Sequence, residues 1–176
     1  MSTHDVPAFL EAPMAVSPVV QRVARLGLRA AGALAFLAPL LTRITVGYAF
    51  ILTGRGKLAD LQTFTEFMQS LGVPAAALQA PLVAGLEFVG GIALVLGLGT
   101  RLFATALMGT MVVALLTADR ASFLEAWLPT GDIGPLDVAP YVFLLLLSWL
   151  ALYGPGPISL DHPVARKLGL AGNPPK

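Results

Sequence analysis

The chain has 176 residues, 56% of them hydrophobic and only 12% charged, with a formal net charge of +1 and a mean hydropathy of +0.79. Soluble domains carry about 25% charged residues, so the composition excludes an ordinary soluble protein and points to an integral membrane protein of one domain. The near-neutral balance, with no basic tract, excludes a nucleic-acid partner. The absence of cysteine excludes disulfide exchange, thiolate nucleophiles and cysteine-bound metals. At roughly 20 residues per span, the length suits about four spans.

Residues 1–30 read as a tail followed by a juxtamembrane basic helix. Pro7, Pro13 and Pro18 punctuate the tail. Arg22, Arg25 and Arg29 fall near one helical face, as lipid-headgroup and positive-inside anchors do. The apolar run Ala30–Leu41 behind these arginines resembles the core of a signal peptide. No small-residue cleavage site leads into a polar sequence, however, and apolar character resumes after Arg43, which predicts an uncleaved first span.

Residues 31–157 contain the predicted membrane domain, with spans at about 33–54, 78–98, 102–118 and 138–153. Pro39 is expected to kink the first span. Between the first two spans, Leu61, Phe64, Phe67, Met68 and Leu71 recur at helical spacing in a segment too polar to cross, residues 58–71. This predicts an interfacial helix, ended by Gly72-Val-Pro74. Gly99-Thr-Arg101 makes a tight connection, Asp119 to Asp137 a polar loop with Trp127 as an interfacial anchor, and Gly154-Pro-Gly-Pro157 the stop of the last span. Residues 158–176 form a C-terminal tail in which Asp161 is expected to cap a short helix. The predicted fold is therefore all-α: a four-transmembrane-helix bundle with a short interfacial helix after the first span. Lys and Arg outside the spans divide unequally. Arg22, Arg25, Arg29, Arg101, Arg166, Lys167 and Lys176 fall on one side, and Arg55, Lys57 and Arg120 on the other. Both termini are thus expected in the cytoplasm.

Arg43, Gly47, Phe50, Gly54 and Lys57 recur at i, i+4, i+7, i+11 and i+14, on one face of the first span. An arginine inside the bilayer costs roughly 2.5–3.5 kcal/mol on insertion scales, so it requires an acidic partner or a polar cavity. Glu87 is the single charge of the second span. Counted from the outer ends of their spans, Glu87 lies roughly 13 Å and Arg43 roughly 16 Å deep. This predicts an Arg43–Glu87 ion pair, approached by Lys57 and Arg55 from the outer surface. Gly47, Gly54, Gly90, Gly91 and Gly97 are small enough to let the first two helices pack closely. Three readings stay open: a structural pair that fixes helix packing, a polar pocket holding the head group of a ligand, and an interface with another subunit. Asp119 and Arg120 stand where they could line the mouth of such a pocket, whereas Arg101 reads as a topology anchor. The histidines, His4 and His162, lie outside the spans, which leaves no bis-histidine haem site within them. Asp132 and Asp137 read as loop and cap residues, two loop aspartates being too weak a signal to assign a calcium site. No metal site is assigned, no nucleophile–base–acid triad can be assembled, and no catalytic residue is assigned. A redox role would need a bound organic carrier such as a quinone, or a partner's cofactor.

At these residues the chain resembles the DoxX family of small bacterial membrane proteins. The resemblance is carried by Gly47-x-x-Phe50-x-x-x-Gly54-x-x-Lys57-Leu58, by Leu71-Gly72-x-Pro74, and by Glu87-x-x-Gly90-Gly91-x-x-Leu94-x-x-Gly97-x-x-Thr100-Arg101. The closing Gly154-x-Gly156-x-x-Ser159-Leu160-Asp161 also fits, so it covers roughly residues 40–161. It implies a four-helix bundle in a bacterial inner membrane, and an association with quinone-linked oxidoreductases; the missing cysteines speak against thiol-based versions. The expected function is that of a membrane subunit of an oxidoreductase or stress-response complex, binding a quinone-like or lipid ligand between the first two spans near Arg43, Lys57 and Glu87. The competing expectation is a non-catalytic scaffold or assembly factor. The expected partners are the lipid bilayer, membrane or periplasmic proteins and further copies of the chain.

Overall fold

Apolar runs punctuated by glycine and proline set the helix boundaries. The computed structural model of the chain describes residues 17–129 and 131–167. The expectations for the proline-bearing tail, His4 and Lys176 lie outside the described residues. The chain divides into two units, at residues 35 and 36.

In the first unit, α1 (Pro18–Leu34) starts where the Ser17 hydroxyl accepts a hydrogen bond from the Val20 amide and Pro18 occupies the first turn. None of its residues is buried.

The second unit holds α2 (Leu37–Ala59), α3 (Leu61–Ser70), α4 (Ala76–Leu96), α5 (Thr100–Leu116), α6 (Arg120–Glu125), α7 (Ala139–Tyr153) and α8 (Asp161–Lys167). The predicted span 33–54 thus meets a helix boundary at 35–36, and α2 runs on five residues past Gly54. Pro39 stands in the first turn of α2 and has no N–H to donate toward Ala35, next to the helix boundary at 35–36.

Helix α2 packs chiefly on α4 and α5 on α7, with smaller α4–α5, α3–α4 and α2–α7 contacts. Val46 and Phe50 from α2, Leu94 from α4, Ala104, Leu107 and Met111 from α5, and Leu147 and Leu150 from α7 bury one shared apolar core. The segments Pro18–Ala59 and Ala76–Leu96 are long and apolar enough to cross a membrane; α5 and α7 are apolar but shorter. The amphipathic helix α3 folds back on α4: Met68 is buried with Ala76 and Ala80, against Leu61, Phe64 and Val73. The Asp60 carboxylate caps α3 by accepting from the Thr63 amide.

Among its described residues, the loop 119–137 holds more secondary structure than its polarity suggests. It contains α6 and a 3-10 turn, Pro135–Asp137. Leu115, Ala126 and Val138 form a small core there. Phe123, Trp127 and Tyr141 pack as an aromatic triangle with centroid separations of 5.6–6.3 Å.

Candidate functional site

The α2–α4 interface sets the site, and small residues set the interface. A Cβ on Gly47 would come within 2.7 Å of the Gly91 carbonyl oxygen, and one on Gly91 within 2.6 Å of the Gly47 carbonyl oxygen. A Cβ on Gly54 would meet the Phe88 amide nitrogen and lie 3.0 Å from the Ala84 carbonyl. The two backbones therefore touch, as small-residue stripes permit in membrane helices. Gly90 faces α5 instead, with its nearest neighbours on Leu107 and Phe103. These contacts fix an antiparallel register in which Gly47 meets Gly91 and Gly54 meets Ala84 and Phe88.

That register decides which charges meet. Lys57 reaches across to Glu87, with Nζ 2.5 Å from Oε1. Glu87 is 1% exposed, and its Oε2 is buried with no hydrogen-bond partner among the described residues. The Lys57 side chain is 29% exposed, and its ammonium also sits 5.0 Å from the centroid of the Phe64 ring on α3.

The predicted Arg43–Glu87 pair is not formed. Arg43 is 1% exposed, but its guanidinium lies against Gly97, where a Cβ would overlap Nη1. Glu87 and Gly97 are ten residues apart on one helix, roughly 15 Å. The depth count failed because it took Gly54 as the outer end of the span, whereas α2 continues to Ala59 and Gly54 abuts the middle of α4.

Arg43 belongs to a second polar cluster. Its Nη2 donates to the Ile158 carbonyl at 2.6 Å. The segment after α7 then ties itself to the α4–α5 turn: the Asp161 amide donates to the Gly97 carbonyl at 2.9 Å. The Asp161 carboxylate accepts from the Gly99 amide at 2.5 Å and the Thr100 amide at 3.1 Å. Asp161 thus satisfies the first amides of α5, a different helix from the one it was expected to cap. Gly97 and Gly99, at φ +68° and +57°, make the turn between these helices. Arg101 Nη2 lies 3.5 Å from the Leu152 carbonyl, so it too joins α5 to α7.

The Lys57–Glu87 end opens on a cavity. Its volume is about 500 Å³, and its walls come from α2, α3, α4, α5 and the start of α7. Phe50, Phe64, Phe67, Met68, Met111 and Phe143 make it apolar, while Lys57, Glu87, Gln79, Thr110 and Asp119 supply its polar groups. Asp119 therefore lines the same cavity as Glu87; Arg43 does not. Sequence reasoning missed the contributions of α3 and α5, since it placed the site between the first two spans alone. Phe64, Phe67 and Met68 were visible as an apolar stripe but carried no sign that it turns inward.

A family model described as DoxX matches residues 38–120. The inner membrane protein YqjF of Escherichia coli is 35% identical over 130 residues, 73% of this chain and 92% of that protein. The inner membrane protein YphA of the same organism is 34% identical over 136 residues, 70% of this chain and 87% of that protein. A Bacillus subtilis protein named "Putative oxidoreductase CatD" is 31% identical over 128 residues, 71% of this chain and 85% of that protein. No solved structure matches the chain.

Proposed function

The chain belongs to the DoxX family of membrane proteins, and on that premise we propose that it is an inner-membrane ligand-binding subunit of an oxidoreductase system, holding a quinone-like molecule in the cavity at Lys57 and Glu87. One observation carries the reading. An apolar cavity of about 500 Å³ is faced by a buried carboxylate with one oxygen unpartnered among the described residues and by a partly exposed ammonium. Ligand pockets typically span about 300–1,000 Å³ and combine apolar walls with a few convergent polar groups. Ionisable residues inside a membrane are functional candidates by default.

The donor set fits a carbonyl-bearing ring with an apolar tail. Lys57 donates a hydrogen bond to a carbonyl oxygen, and Glu87 Oε2 accepts from a hydroxyl or holds a proton. Phe50, Phe64, Phe67 and Phe143 cover the ring and tail and exclude water. A quinone-like ligand supplies two-electron redox chemistry when bound; the chain's own residues bind, orient and exchange a proton with it. Arg43 has no part in this pocket. In the same proposal α2, α4, α5 and α7 each cross the bilayer, both termini face the cytoplasm, and the Lys57 end faces outward. The names of the two Escherichia coli relatives support the inner membrane, and that of the Bacillus subtilis relative supports the redox association.

Native mass spectrometry of the protein released from lipid discs tests the reading. A stoichiometric small molecule retained by the unaltered protein and lost in Glu87→Gln and Lys57→Met is the expected result. A second reading, a non-catalytic scaffold, is favoured by the fact that Lys57 and Glu87 already bond each other. A protein partner retained without any small molecule, unaffected by either substitution, would replace the first reading with this one.

A further inference from the structure

Helix α1 stands outside the matched family region, residues 38–120, and its sequence has a different logic from that of the bundle. Arg22, Arg25 and Arg29 share one face at i, i+3 and i+7, and residues 18–34 contain no acidic side chain. Val20, Val23, Gly27, Ala31 and Leu34, at i, i+3, i+7, i+11 and i+14, make the opposite face. These apolar side chains are bare: Val23 is 65% and Leu34 58% exposed. The sequence of this helix is not that of a membrane span. The stretch Pro18–Ala59 has 42 residues, about 63 Å as one helix, roughly twice the hydrocarbon thickness of a bilayer. Three arginines on one stripe would also have to enter that core unpaired.

A helix with one wholly apolar face and a cationic opposite face suits a single environment, the boundary between headgroups and acyl chains. We propose that α1 lies in the membrane plane and binds anionic phospholipid, with Val20, Val23 and Leu34 in the acyl boundary and Arg22, Arg25 and Arg29 on phosphate or carboxylate headgroups. The charge complementarity selects the lipid: three guanidiniums with no acid in their own helix favour a negative surface over a zwitterionic one. The inference is independent of the ligand proposed for the cavity, since it concerns residues that take no part in that site.

The chain contains no cysteine, so a spin label at one introduced cysteine reports one position only. The full-length protein is reconstituted in lipid discs of pure phosphatidylcholine or of phosphatidylcholine with phosphatidylglycerol. Labels are placed by Val23→Cys and Ala31→Cys on the apolar face, and by Arg25→Cys and Gly32→Cys on the polar face. A Cβ at Gly32 would meet nothing within 4 Å. In the anionic discs, oxygen should reach Val23 and Ala31 while a water-soluble nickel chelate reaches Arg25 and Gly32. The apolar labels should lie about 5–10 Å below the headgroups. The contrast between faces should fall by at least half in pure phosphatidylcholine, and likewise in a variant with Arg22→Gln, Arg25→Gln and Arg29→Gln, labelled at Val23 or Gly32. Equal chelate access on both faces, equal exclusion on both, or a contrast of the same size in both lipids would overturn the proposal.

Discussion

The two ends of the α2–α4 interface each hold a cation, and they handle it differently. At one end Lys57 meets a carboxylate beside a cavity. At the other, Arg43 is pressed against backbone, with its guanidinium on the Ile158 carbonyl and against Gly97. A carboxylate beside open space can exchange a neighbour or a proton for a ligand. A carbonyl within a turn has no such freedom, because the turn must move for the arginine to move. Cations on one helix face therefore meet a side chain beside a cavity at one end and backbone at the other, and the sequence spacing that put both on that face could not distinguish them.

The largest effect should come from breaking what the two ends share. Gly54→Leu forces α2 and α4 apart where their backbones touch, which should cost about 3 kcal/mol or more. Unfolding in detergent should show the loss, together with release of any ligand. Next comes a change confined to the Arg43 end. Asp161→Ala leaves the Gly99 and Thr100 amides without their acceptor and should cost about 2 kcal/mol, while ligand retention in the same sample stays as in the parent. Retention lost in proportion to stability would mean that the ends are not separable.

Glu87→Gln probes the other end. Lys57 is partly exposed, so losing the pair should cost only about 1 kcal/mol, yet bound ligand in native mass spectra should fall at least tenfold. Equal falls in stability and ligand would make Glu87 a packing residue. The smallest effect should be that of Glu66→Ala, which removes an exposed contact with Gln62 on the outer side of α3. Neither stability nor ligand content should change measurably, which would locate the sensitivity of α3 on its inward face.

Much of this architecture was legible beforehand, for physical reasons that also explain the failures. Long apolar runs bounded by glycine and proline mark helices whatever their partners, so the cores of α2, α4, α5 and α7 were evident. Glu87 and Lys57 stood out because charges are rare in apolar surroundings. Their pairing was not legible, because it depends on a register set by Gly47, Gly54 and Gly91 touching the facing helix. The bonds of the Asp161 carboxylate to the start of α5 were not legible because they span more than sixty residues of sequence; only the grouping of Thr100-Arg101 with Ser159-Leu160-Asp161 in one family pattern hinted at them. Helix α6 has six residues and no side-chain cap, too few for a periodic signal to rise above a polar loop.

The reach of Asp161 to Gly99 and Thr100 also bears on the order of biosynthesis. Translation delivers α5 some sixty residues before the carboxylate that completes its first turn. A chain halted after α7 would possess every helix of the shared core and still lack the Ile158 and Asp161 contacts that secure Arg43 and the α4–α5 turn. The ribosome must therefore deliver residues 158–161 before these contacts can close on Arg43 and the α4–α5 turn.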